Sequence, residues 1–166
     1  TDNLLNALAL KAELLVLLEK LSAAEQLINE YSPLAISHNA EFVKLRFELT
    51  QLSITDAKGF TEDVIKEQKR LLNKAHSIEN QHYAASIYLA VGQSQYINDN
   101  LSGALNSFKQ AYDINLTLGD ESNLSEVMNA LANLYIDLND SPAAIKYFNE
   151  AIAIKEAVND KFSVSI

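Results

Sequence analysis

The chain has 166 residues, 48% of them apolar and 21% charged, which is enough to build a core and too apolar for a disordered tail. Thirteen Lys and Arg against 22 Asp and Glu leave a formal charge of −9, and so strong an acidic balance argues against nucleic acid and membrane surfaces, which are bound chiefly through cationic side chains. There is no cysteine, so disulfides, thiolate metal sites and cysteine nucleophiles are excluded and the redox compartment is left open.

Four Gly and two Pro among abundant Ala and Leu predict an all-α chain. Leu4, Leu8, Leu15 and Leu18 open the first amphipathic pattern. Its apolar run, Leu14 to Leu18, is bounded by Glu13 and Glu19 and falls far short of the ~18 residues a membrane span needs. Leu21-Ser22-Ala23-Ala24 begins the next segment, and Thr61 before Glu62 and Asp63 predicts a capped helix start. A helix is expected from about Asn80 to Ile97, then a break at Asn98-Asp99-Asn100. The following helix runs from about Ser102 to Leu118, with Leu105, Phe108 and Tyr112 on one face, and Gly119 stops it. After a second break at Asn139-Asp140, Ser141 is the expected N-cap and Pro142 the first helical residue, followed by Ile145, Phe148 and Ile152. The chain starts at Thr1 without Met and stops inside a helical pattern, Phe162 to Ile166, so it reads as a piece of a longer protein.

The stronger signal is self-similarity. A shift of 40 residues places Gly92 on Ala132, Ala104 on Ala144, Phe108 on Phe148 and Ala111 on Ala151. The same step backward carries Leu101-Ser102-Gly103-Ala104 onto Thr61-Glu62-Asp63-Val64 and then onto Leu21-Ser22-Ala23-Ala24. Residues 1–166 are thus read as one repeat domain with units at about 5–40, 45–80, 85–120 and 125–160 and the start of a fifth at 161–166. Each unit divides at a polar break into two antiparallel helices, A and B, and stacking such hairpins makes an α-solenoid.

Small residues at Gly92, Ala104 and Ala111, large ones at Tyr88, Tyr96 and Phe108, and their counterparts Leu131-Ala132-Asn133-Leu134-Tyr135, Ala144, Phe148 and Ala151 resemble the tetratricopeptide repeat. The common version has 34 residues; a 40-residue period resembles the longer-helix variant of bacterial signalling and regulatory proteins. The resemblance covers nearly the whole chain and is weakest in the second unit, where Gln68 and Leu71 replace the expected aromatic and small residues. It implies a right-handed superhelix of helix hairpins that binds proteins or peptides. It also implies that a face of the A helices lines a concave groove, and carried over residue by residue this nominates Arg46, Ser53, Gln93, Tyr96, Glu126, Asn129 and Asn133. Asn129 and Asn133 share one helix face, and their amides both donate to and accept from a peptide backbone. The family's carboxylate clamp is not expected, because its places carry Ala9, Glu13, Ser86, Ala90 and Gln93 with no cationic set.

Residues that would carry chemistry are sparse, so no enzyme, cofactor or metal is expected. His38, His76 and His82 lie at no metal-ligand spacing, and Gly59, Gly92, Gly103 and Gly119 are isolated. The acidic groups at Glu62-Asp63, Asp120-Glu121 and Asp140 all stand where helices begin. A basic cluster, Lys66, Lys69, Arg70 and Lys74, reads first as a solvated face and alternatively as a docking patch for an acidic partner. The expectation is a protein- or peptide-binding scaffold, a sensory or regulatory module of a larger bacterial signalling protein. It is placed in the cytoplasm or, alternatively, in the periplasm as the sensor domain of a membrane-anchored protein. The competing expectation is an oligomerisation module, a possible homodimer, stacking through solenoid ends that include Phe162, Val164 and Ile166.

Overall fold

Polar residues able to cap helix ends recur through this sequence, and they set where each helix of the chain starts and stops. The computed structural model describes residues 2–59 and 62–163, and side chains over 3–59 and 62–157. The expected cap Thr61, the side chain of Phe162, the residues Val164 and Ile166, and hence the surroundings of the fifth-unit start, lie outside this description. Among the described residues there are eight α-helices and no strand: α1 (Asp2–Leu17), α2 (Leu21–Ser37), α3 (Glu41–Ala57), α4 (Glu62–Ser77), α5 (Gln81–Ile97), α6 (Leu101–Leu118), α7 (Glu121–Asp137) and α8 (Ser141–Ser163).

The joints between helices follow one design. Glu19, Asn39, Asp99, Gly119 and Asn139 each take a left-handed backbone conformation, with φ between 51 and 67°. The N–H of the next residue then bonds the carbonyl five residues back: Lys20 to Leu15 at 2.8 Å, Asn100 to Gln95 at 2.8 Å and Asp140 to Tyr135 at 2.8 Å. This is a Schellman closure. The residue that completes it also caps the following helix where its side chain allows: Asn100 accepts from Gly103 N–H, Asp120 from Asn123 N–H and Asp140 from Ala143 N–H, each at 3.1 Å. One residue thus ends one helix and starts the next, which keeps every such hairpin turn tight. Asn80 caps α5 in the same way through Tyr83 N–H.

Two sequence expectations shift. Ser141 is the first residue of α8 and not its N-cap; Asp140 caps instead, because the closure onto Tyr135 aims its carboxylate at Ala143 N–H, and Pro142 becomes the second helical residue. Pro is tolerated there too, since none of the first-turn N–H groups has an intrahelical partner. In α2 the helix runs through Pro33 to Ser37 and keeps Ala35 buried beyond it, so burial outweighs the missing N–H.

The chain divides into two compact units, Thr1–Arg70 and Leu71–Ile166, with the division inside α4. In the first, α1, α2 and α3 pack mutually around Leu5, Ala9, Ala24, Leu27, Ile28, Val43, Phe47 and Ile54. In the second, α5 pairs with α6 and α7 with α8, and the hairpins join through α6 on α7 and α5 on α7. This consecutive packing of helices is that of a tetratricopeptide-type helical solenoid. Leu124, Met128 and Ala151 form a small core with Tyr112, Tyr147 and Ile154 around it. Tyr147 stacks on Tyr135 at 5.6 Å and meets Tyr112 edge-on at 6.0 Å.

The closest approach lies between α5 and α6. A Cβ placed on Gly92 would stand 2.5 Å from two ring carbons of Phe108 and 3.2 Å from Ser107 Cβ. Phe108 is fully buried and Ser107 donates to Gln95 Oε1 at 2.7 Å, so neither side chain has room to withdraw. The counterpart pair Ala132 and Phe148 admits a methyl because the Phe148 ring is only half-buried. In the second repeat the sizes are exchanged: Leu52 stands in the Gly92 register and Gln68 in that of Phe108, both buried. The departure from the repeat pattern at Gln68 is therefore matched by a larger residue on the facing register.

We expect Gly92→Ala to lower unfolding stability by ~1–3 kcal/mol through overpacking and Phe108→Ala by ~3–5 kcal/mol through a cavity. In a denaturant-melt double-mutant cycle, Gly92→Ala with Phe108→Leu should be less damaging than the sum of the two. The Ser125 hydroxyl is buried with no partner among the described residues, where its counterpart is Ala85. Ser125→Ala should therefore raise the stability by about 1 kcal/mol in the same measurement.

Candidate functional site

The A helices are short enough that three or four side chains spaced by three and four residues define one face. On α5 that face carries Gln93 and Tyr96, and on α7 it carries Glu126, Asn129 and Asn133 and continues to Asp137. The two helices touch. Gln93, Glu126 and Asn133 are exposed, while Asn129 and Tyr96 are half-buried. The Tyr96 hydroxyl donates to the Asp137 carboxylate and so ties α5 to α7 across the face. That bond, helped by partial burial, raises the Tyr96 pKa, so the hydroxyl stays a donor throughout the neutral range. Five of the seven nominated residues are thereby gathered in the second unit, and each exposed one presents an amide or a carboxylate.

Arg46 and Ser53 lie on α3 in the first unit. Arg46 donates from Nε and Nη2 to the two oxygens of Glu13 on α1, at 2.7 and 2.6 Å, and its guanidinium lies 5.8 Å from the Phe42 ring centre. Ser53 donates at 3.3 Å to the Leu49 carbonyl of its own helix. Arg46 is thus the counterpart of Tyr96: each unit holds neighbouring A helices together through one polar pair, Arg46 with Glu13 and Tyr96 with Asp137. The sequence reading nominated one member of each pair and missed its role as a tie. Asp137 carried a usable signal, since it follows Asn133 by four residues on the same face, but its partner is distant in sequence and has no fixed spacing.

The remaining polar clusters are internally matched. Arg70 of the basic cluster makes two bonds to Glu67, at 2.9 and 2.7 Å, and lies 3.5 Å from Glu48. The Glu67 bonds raise its pKa against the opposing effect of burial. These groups line an open cleft of about 350 Å³ with Ile28, Ser32, Phe47 and Gln51, so its charges already compensate one another. His76 Nδ1 lies 3.0 Å from the Tyr88 hydroxyl, His82 Nδ1 lies 3.4 Å from Asp120, and His38 Nδ1 sits 3.0 Å from the Leu34 carbonyl at the end of α2. Among the described residues no group of three His, Asp or Glu is placed to hold a metal ion.

The Arg46–Glu13 pair is bidentate and partly shielded, which gives it more than the value of an ordinary surface pair. Arg46→Met should lower unfolding stability by about 1 kcal/mol at low salt, with a smaller loss at high salt. Denaturant melts at the two salt levels check this, and a Glu13→Gln, Arg46→Met double variant should be no worse than either single change.

The family model of the tetratricopeptide repeat matches residues 83–157, a span holding nearly all of α5, all of α6 and α7, and much of α8. No curated protein matches the chain. The matched span contains the Gly92–Phe108 contact, its counterpart Ala132–Phe148, and five of the seven nominated face residues. Residues 83–157 are tetratricopeptide repeats, and through that segment the chain belongs to the tetratricopeptide repeat family.

Proposed function

We propose that the chain is a non-catalytic scaffold that holds a peptide or protein segment against the A-helix face of its second unit. Tetratricopeptide repeats mediate protein–protein interaction, and that general role is the chain's own. The observation carrying the proposal is the exposed stripe of Gln93, Glu126 and Asn133, with Asn129 beside it, on two touching helices fixed by the Tyr96–Asp137 bond. Amides fixed in place bond an extended backbone with little loss of side-chain freedom, while Glu126 favours a segment with a cationic side chain. Arg46 and Ser53 would extend the same type of face on α3, with Arg46 acting chiefly as a tie.

In the finer form of the proposal the chain is a sensory or regulatory module of a bacterial signalling protein, and its ligand acts by shifting the packing of adjacent hairpins. The proposed setting is the cytoplasm, with a periplasmic sensor as the alternative. No described helix is long and apolar enough to cross a membrane.

The test is to select peptides that bind the chain from a displayed library and to measure their affinities calorimetrically. Asn133→Ala and Gln93→Ala should each weaken binding ~5–10-fold, as the loss of one or two net hydrogen bonds implies. Lys109→Ala, exposed on α6, should leave it unchanged. Binding that is indifferent to both stripe substitutions and sensitive to Lys109→Ala would move the site to the B helices and overturn the proposal.

A further inference from the structure

The 40-residue register allows each helix to be compared with its counterpart, and two outer faces stand out. In α7 the stripe Leu124, Val127, Leu131 and Leu134 is buried, with exposures of 6, 0, 0 and 0%. In α3 its counterparts Phe47 and Ile54 are buried as well. In α1 the same stripe reads Leu4, Ala7, Lys11 and Leu14, and it lies open, with Leu4 57% and Leu14 53% exposed. The difference has one source. Like α7, α1 packs on the B helix of its own hairpin, and it also touches α3; what it lacks among the described residues is a B helix before it.

The other end of the array complements this. In α6, Phe108 and Asn115 are each 1% exposed and Leu105 and Tyr112 are half-buried, with α7 packed alongside. Their counterparts in α8 are Phe148, Lys155, Ile145 and Ile152, of which Ile145 is 59% and Ile152 53% exposed. The inward-facing positions do not change: Ala144 and Ala151 are buried like Ala104 and Ala111. The open faces of α1 and α8 are therefore the two halves of one joint, the one that α6 and α7 close inside the chain. Leu17 and Leu18 are exposed too, but so are their counterparts Ile97 and Leu138, so they belong to no joint.

We propose that the chain associates with itself head to tail, the Ile145 and Ile152 face of α8 in one copy seating on the Leu4, Ala7 and Leu14 face of α1 in the next. The occupant follows from continuity: α8 carries what α6 presents to α7, and α1 carries most of what α7 presents to α6. Such a contact is heterologous and does not close on itself, so growth beyond a dimer follows. The net charge of −9 per copy opposes it, and added salt should strengthen it by screening. This association uses none of the residues of the α5 and α7 stripe.

Sedimentation velocity of the 166-residue chain over a wide concentration range tests it, with circular dichroism to confirm that each variant stays folded. The wild-type mass should rise with concentration without levelling at a dimer. Leu14→Glu and Ile152→Glu should each be monomeric alone, while their equimolar mixture should give dimers and nothing larger, because each supplies the face that the other has lost. Lys11→Leu, which restores the leucine of the Leu131 register, should lower the concentration required ~10-fold. A wild type and a Lys11→Leu variant that both remain monomeric would overturn the proposal. So would dimers of Ile152→Glu alone, which would mean a symmetric α1 contact, or a mixture that stays monomeric.

Discussion

The absence of a side chain at Gly92 is the constraint on which the rest of the second unit depends. It brings the α5 backbone onto the Phe108 ring, and two backbones that close leave no slack in the hairpin. With α5 and α6 fixed as one body, Ser107 can bury its hydroxyl against Gln95, and Ala104 and Ala111 can complete the seam. The next hairpin repeats the plan with an alanine and a ring that is less deeply set. A size relation, small on the A helix against large on the B helix, is thus maintained and reversed only at Leu52 and Gln68, where both members change together.

Function rests on this rigidity at one remove. Once the hairpins are fixed, neighbouring A helices present parallel stripes, and a single polar tie holds their registers: Tyr96 to Asp137 in one unit and Arg46 to Glu13 in the other. The ties leave Gln93, Glu126 and Asn133 unobstructed between fixed points. A surface of this kind suits extended polypeptide, which offers regularly spaced backbone donors and acceptors and few deep anchors.

Much of the fold was legible because repetition multiplies weak signals. One amphipathic helix is ambiguous, but Ala104, Phe108 and Ala111 returning 40 residues later are not. The Asn80 cap and the Gly119 stop were readable from residue type alone. The finer joint was not: left-handed residues every 20 positions include a Glu, two Asn and an Asp as well as glycine, so no single letter marks them. Ser141 was misread as a cap because the preceding Asp140 does two jobs at once. Of the candidate face, helix periodicity identified residues but not partners. The Arg46–Glu13 and Tyr96–Asp137 ties join residues 33 and 41 positions apart, and only packing brings them together.

The most direct measurement of the central contact is the proton NMR signature of Gly92 in the folded chain. A ring seated on the glycine predicts strong nuclear Overhauser effects from the Gly92 α-protons to the aromatic protons of Phe108, and a large ring-current displacement of those α-protons. Gly92 α-protons at unperturbed shifts with no cross-peak to Phe108 would contradict the account, since the hairpin would then lack the close approach from which its geometry is argued.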